Sequence, residues 1–263
     1  MRILTIAKQV PDSNATIKVL SDGSGIDTNG LKLVLDPFDE FGVEQAVQLK
    51  EKRSDVTEVV ALTWGPAKAA EALRVALAMG ADSGIHLNDP AFESLNELFA
   101  AQLIAQAVKK DEAGFDLIIC GKYHIDLDAG AFGPALAEYL DWPHVGAVQG
   151  LEFSEDGKRF TARRRIEGAE EVVECDLPAL LTIEKGLVEP RYPSLPNLMK
   201  AKKKPVKVLT SADLSVEEGL KSGTNFESVA PPPPRPECKL IEGEPDEMAK
   251  ELVRVLREEA KVV

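Results

Sequence analysis

The sequence predicts an α/β fold in which a doubly wound, mainly parallel sheet is followed by an added β segment and a C-terminal helical arm. Three observations carry this. Strand-like and helix-like patterns alternate from residue 2 to residue 120, as crossover units of a parallel sheet do. The run Phe115-Asp116-Leu117-Ile118-Ile119-Cys120 is nearly all apolar, which suits a strand covered by helices on both faces. After Trp142-Pro143 the rhythm changes to successive β patterns, and a proline tract at 231–236 sets off one last amphipathic stretch.

Taken in order, residues 2–7 form a buried strand, and Asp22-Gly23-Ser24-Gly25 turns the chain between polar extended stretches. Asp36-Pro37-Phe38-Asp39-Glu40 opens a helix: Asp36 caps it, Pro37 suits the first helical position, and the acids favour the positive end. Phe38, Phe41, Ala46 and Leu49 give that helix its apolar stripe as far as Arg53. A strand over 56–63, a turn at Trp64-Gly65-Pro66, a helix over 67–79 stopped by Gly80 and a short strand at 84–87 repeat the unit. A third helix covers 94–110. Residues 145–153, 159–166, 169–175 and 178–184 form the later β segments, with Glu155-Asp156-Gly157 as a hairpin turn. A final helix at about 245–261 carries Ala249, Leu252, Val253, Leu256 and Ala260 on one face. We therefore expect an α/β domain over 1–230 and an arm over 231–263 that buries its stripe either on its own domain or, the favoured reading, on another subunit.

With 263 residues, 44% of them hydrophobic, the chain can bury a sizeable core. Its apolar runs fall far short of a membrane span, so no direct membrane insertion is expected, and Met1 leads straight into a strand with no room for a signal peptide. Cys120, Cys175 and Cys238 are odd in number and widely spaced, which implies free thiols, a reducing compartment and a cytoplasmic location. The net charge of −13 argues against general nucleic-acid binding. Lys200, Lys202, Lys203, Lys204 and Lys207 form one basic patch, read as a solvated strand end or as a phosphate contact.

The stretch 187–205 spends apolar residues on a segment broken by Pro190, Pro193 and Pro196. The prolines predict an extended loop from Arg191 to Asn197. There Leu195, flanked by Pro196 and followed by Leu198-Met199, either forms a rigid apolar knob for docking or tucks back onto its own domain.

Ligands of open parallel sheets bind outside the carboxyl ends of the strands, which points to Ala7-Lys8-Gln9, Thr63-Trp64-Gly65-Pro66 and the segment 121–134. The last leaves its strand through Gly121, presents Lys122 and enters a helix through small residues, so free N–H groups there suit a phosphate. Asp128 is expected to cap that helix, and Asp126 to bond a ribose or a structural partner. Trp64 either stacks on an adenine or packs. No phosphate loop, dinucleotide fingerprint, nucleophile elbow or zinc-protease motif occurs. Of His86, His124 and His144, only His124 falls in the candidate pocket, and no catalytic or metal-ligating residue is assigned.

Several blocks in order resemble the beta subunit of electron transfer flavoprotein over essentially the whole chain. They are Lys8-Gln9-Val10-Pro11-Asp12, the Asp36–Glu40 helix start, Gly65-Pro66, the run Leu73–Asp82, Gly121-Lys122 with Ile125-Asp126, Leu177-Pro178-Ala179, and Glu189-Pro190-Arg191-Tyr192 through Leu195-Pro196-Asn197 to Lys204. The resemblance implies a Rossmann-like, adenine-nucleotide-binding fold and a non-enzymatic half of a heterodimer. It further implies that the redox-active FAD lies mainly in the alpha subunit and that a structural AMP lies in this one. By position the AMP contacts fall on Ala7, on Asp36, Pro37, Phe38 and Asp39, and on Trp64. They continue on Gly121, Lys122, Tyr123, His124, Ile125 and Asp126, then on Leu127, Asp128, Ala129, Gly130, Ala131 and Phe132. Arg191, Tyr192, Leu195, Pro196, Leu198 and Met199 become a recognition loop for flavin dehydrogenases, with Leu195 its anchor, and an acceptor that reoxidises the carrier completes the set of partners.

The chain departs from the family pattern at Asp36, usually asparagine, and at Tyr123-His124, usually Gln-Ala. Leu127 interrupts an acidic run, and Ala131-Phe132 stand where polar residues are common. Gly133-Pro134 instead resembles a branch that carries a second FAD and bifurcates electrons from NADH. That branch is the alternative reading, and a stand-alone adenine-nucleotide sensor is the third.

Overall fold

A computed structural model describes residues 1–92, 96–214, 227–235 and 237–263. The first turn predicted for the third helix, at 94–95, and Pro236 of the proline tract lie outside the described residues.

In chain order the strands are β1 (Arg2–Ile6), β2 (Gln9–Pro11), β3 (Leu33–Leu35), β4 (Glu58–Trp64), β5 (Ser83–Leu87) and β6 (Leu117–Gly121). They continue with β7 (His144–Phe153), β8 (Arg159–Ile166), β9 (Ala169–Asp176), β10 (Ala179–Ile183) and β11 (Val206–Leu209). The helices are α1 (Pro37–Lys52), α2 (Ala70–Met79), α3 (Glu97–Lys109), α4 (Phe132–Leu140), α5 (Leu195–Ala201), the single turn α6 (Ser211–Leu214) and α7 (Pro245–Arg254). A 3₁₀ turn leads into α2, and a π turn over Val255–Glu259 continues α7.

Among the described residues nine strands form one sheet in the order β11-β5-β4-β1-β6-β10-β7-β8-β9, parallel from β11 to β7 and antiparallel from β7 to β9. β2 and β3 pair as a separate ribbon. Side-chain alternation assigns the two faces. Ile3, Val59, Ala61, Ile119 and Leu181 pack with Val43 and Val47 of α1 and Leu73 and Leu77 of α2. Their neighbours Leu4, Val60, Leu62, Ile118 and Leu180 pack with Leu103 and Ile104 of α3 and Leu136 and Leu140 of α4. Helices on both faces make the sheet doubly wound, as the apolar character of β1, β4, β6 and β10 predicts.

Asp36 caps α1 as expected, its Oδ1 accepting from Phe38 N at 2.8 Å, and Pro37 occupies the first turn. Gly80 ends α2 with φ +145°, and Gly157 turns the β7–β8 hairpin with φ +70°. β11 turns the solvated strand end expected at the lysine run into an edge strand paired with β5, a pairing that its Val-Lys-Val-Leu pattern does not announce.

The chain divides into two compact units: residues 1–17 with 27–227, and residues 18–26 with 228–263. In the second unit Val19 bridges Ile26, and Val229 N donates to Gly23 O at 2.8 Å. α7 contains no buried residue, and its Leu252 and Val253 are exposed. Among the described residues no helix is long and apolar enough to cross a membrane, and Cys120, Cys175 and Cys238 are free thiols.

Candidate functional site

From β1 the chain winds outward to β4 and β5, then returns to β6 and winds the other way to β10. The strand order thus reverses between β1 and β6, and the crevice beyond their carboxyl ends is where an open sheet of this kind binds ligands. α1 enters this crevice at close range. A Cβ on Gly121 would lie 2.7 Å from Phe38 Cβ, so only glycine fits there.

One buried carboxylate joins the two strand ends. Asp39 Oδ2 accepts from Lys8 N at 2.9 Å, and Oδ1 from Gly121 N at 3.0 Å. Asp36, also buried, uses its second oxygen to accept from Ile125 N at 2.8 Å, tying the loop after β6 to the start of α1. His124 lies between two acids, with Nδ1 3.1 Å from Glu97 Oε1 and Nε2 3.5 Å from Asp39 Oδ2. The second contact is an ion pair without a hydrogen bond. Glu97 Oε2 accepts from Ala131 N at 3.2 Å and so satisfies an N–H at the start of α4. Lys8 Nζ pairs with Asp126 at 2.8 Å, which makes Asp126 a structural partner, and Lys122 Nζ pairs with Glu184 at 2.6 Å.

These contacts fix the charges. Burial disfavours the imidazolium, but the charge of Asp39 and the bond to Glu97 outweigh it and push His124 up to about 9. Burial raises Asp39 and Glu97, yet His124 beside them holds both below the usual carboxylate range. For Asp36, burial and then the charge of Asp39 outweigh its backbone bonds and the charge of His124 and push it up to about 6; burial and Asp36 push Glu40 up to about 6 as well.

Three rings complete the crevice. Phe132 stacks on Trp64 with centroids 5.5 Å apart and planes at 11°, and His124 meets Phe132 at 5.1 Å and Trp64 edge-on at 6.0 Å. All three are buried. The structure thus brings Ala7, Asp36, Asp39, Trp64, Gly121, His124 and Phe132 together, while Asp126, Leu127, Asp128 and Ala129 lie on the exposed loop beside them.

Asp128 does not cap α4. It adopts a left-handed conformation (φ +51°), the helix begins only at Phe132, and the acceptor comes from Glu97 on α3. Trp64 packs instead of offering a free face. Gly133, of the Gly133-Pro134 pair that resembles the bifurcating branch, has a packing reason: a Cβ there would lie 2.4 Å from Thr182 Cγ2. Glu97 escaped the sequence reading because nothing local marks it; His124 is 27 positions away along the chain.

The second candidate surface is the segment that ends in α5. The extended conformation expected up to Asn197 holds only to Ser194. Ser194 caps α5 and Pro196 falls in its first turn, where a missing N–H costs nothing. Leu195 is 74% exposed and Tyr192 98%, with Met199 and Leu198 exposed beside them, so Leu195 does not tuck back. Arg191 faces inward: its guanidinium reaches Glu44 (2.8 and 2.9 Å) and Glu51 (2.6 and 2.9 Å) on α1. Lys204 is likewise withdrawn from the basic patch, its Nζ donating to the carbonyls of Leu77 and Ala81 at the end of α2.

A sequence model of the electron transfer flavoprotein domain matches residues 24–214. The chain is 40% identical over 252 residues to a Bos taurus protein named electron transfer flavoprotein subunit beta, covering 95% of this chain and 96% of that one. A Bacillus subtilis protein of the same name is 38% identical over the full length of both chains, and the mitochondrial subunit beta of Arabidopsis thaliana is 36% identical, again over the full length of both. The chain belongs to the electron transfer flavoprotein beta-subunit family.

As a beta subunit of this family the chain is expected to hold an adenine nucleotide in the β1/β6 crevice, and the residues present do not fit one. The face of Trp64 is taken by Phe132, and the N–H groups of Lys8, Gly121, Ile125 and Ala131 already donate to carboxylates. The same carboxylates would repel a phosphate.

Proposed function

We propose that this chain is the beta subunit of a heterodimeric electron transfer flavoprotein, a non-enzymatic carrier. It pairs with an alpha subunit that holds the FAD, docks flavin dehydrogenases and an oxidising acceptor, and works in the cytoplasm. When bound, the FAD supplies the single-electron chemistry; this chain supplies the docking face and part of the subunit interface.

The observation that carries the reading is the presentation of Leu195. It stands at the first turn of a capped helix, flanked by exposed Tyr192, Leu198 and Met199 and held from behind by the Arg191 fork on Glu44 and Glu51. A pre-ordered apolar anchor loses little entropy on docking, which suits a partner that must bind quickly and leave quickly. The family resemblance supports the same segment as the recognition loop.

The test is Leu195→Ala in the heterodimer. We expect flavin content to be unchanged and the rate of flavin reduction by a partner dehydrogenase to fall by about 10-fold or more, as for an interface anchor. Transfer kinetics equal to wild type would remove the docking role. The bifurcating alternative rests on the pair Gly133-Pro134, of which Gly133 has a packing reason in Thr182. NADH oxidation by the purified heterodimer would revive it.

A further inference from the structure

We propose that this beta subunit carries no nucleotide: His124, Phe132 and Trp64, with the carboxylates beneath them, occupy the place that a bound AMP takes in the family the chain resembles.

The first argument is steric. The two departures His124 for alanine and Phe132 for a polar residue both enlarge a side chain, and they lie eight positions apart along an irregular loop. The fold brings them to one point, 5.1 Å apart between ring centroids, and sets both against Trp64. His124 and Phe132 are each 1% exposed. The near-parallel stack of Phe132 on Trp64 is the arrangement a purine would need for itself.

The second argument is electrostatic. Phosphate binding at a helix start needs unspent N–H donors and a favourable charge. Here Ala131 N donates to Glu97 and Ile125 N to Asp36, while Asp39 takes the N–H groups at both strand ends. His124 is the cation nearest these acids, and Asp39 and Glu97 already flank it. Lys8 is paired with Asp126. A phosphate would have to displace carboxylates whose hydrogen bonds hold the fold together.

The test uses the intact heterodimer. Nucleotides are released by denaturation, separated by chromatography and counted. We expect FAD with AMP no higher than in a nucleotide-free control protein; AMP equimolar with the chain would overturn the inference. Loss of a weak ligand during purification is excluded in two ways. Refolding of the denatured complex with FAD should be equally complete with and without added AMP, and calorimetric titration of AMP into the heterodimer should show no binding. A requirement for AMP, or saturable binding, would overturn the inference. Counting FAD in the same sample separates this inference from the proposed function: a chain with neither FAD nor an alpha partner would refute the carrier reading, while its AMP content would still decide this one.

Discussion

His124 is the residue on which the interior of the crevice depends, because it is the buried cation between Asp39 and Glu97. Removing one member of a buried ionic cluster leaves the others uncompensated, so His124→Ala should cost on the order of 3–5 kcal/mol near neutral pH. The folded-state pKa of about 9 lies above the ordinary value of 6.5. The stabilisation is therefore complete below pH 6.5 and is lost as pH rises through about 9. Denaturant titrations of both proteins at pH 6 and at pH 9.5 should show the gap shrinking; an equal gap would mean that packing, not charge, makes the contribution. Arg191 plays the comparable part outside the crevice. Its fork spans a buried Glu44 and an exposed Glu51, so Arg191→Lys should lower stability by about 1–2 kcal/mol through lost bidentate bonds, read as a shift in the denaturation midpoint at unchanged slope.

Among the elements, α5 is one whose shape the sequence misjudged, and the reason is local. Proline disfavours helix in the residue before it, but in a first turn its fixed φ suits the helix, and Ser194 provides the cap. The cap bond from Asn197 N is long at 3.4 Å, so Ser194→Ala should cost only about 0.5–1 kcal/mol. It should speed amide exchange across Leu195–Ala201 more than elsewhere, and uniform acceleration would show that the helix does not depend on its cap. β9 shows the opposite case of a sequence that reads correctly. Its alternating pattern gives an edge strand, and the β8–β9 pair carries the cross-strand ion pairs Arg159–Asp176 and Arg164–Glu171. Charges on an edge discourage pairing with a second sheet.

At the scale of the whole molecule, the core lies on the two faces of the sheet, and α7 has no buried residue. Its Leu252 and Val253 are exposed, and under the proposed function they face the alpha subunit. Deleting residues 231–263 should leave the melting temperature of the isolated chain within a few degrees of wild type. The same deletion should weaken association with the alpha subunit by at least about 10-fold, measured by sedimentation or surface binding. Full retention of the complex would mean that the arm is not part of the subunit interface.

The order of strands and helices was legible because hydrophobic period, caps and breakers are properties of adjacent residues. The family was legible too, since its blocks lie along the chain in order. The occupancy of the crevice was not. Trp64, Glu97 and the pair His124 and Phe132 come from three separate segments, and only the crossovers of a doubly wound sheet bring three rings and a carboxylate to one point. The loop 121–132 offers glycine and small residues that suggest an open phosphate site, yet three of its N–H groups, those of Gly121, Ile125 and Ala131, are claimed by acids at the starts of α1 and α3. The sequence by itself determined which elements form and in what order, because those depend on short-range sterics and periodicity. Tertiary structure alone decided which donors remain free and which space is left empty, because both depend on groups distant in the chain.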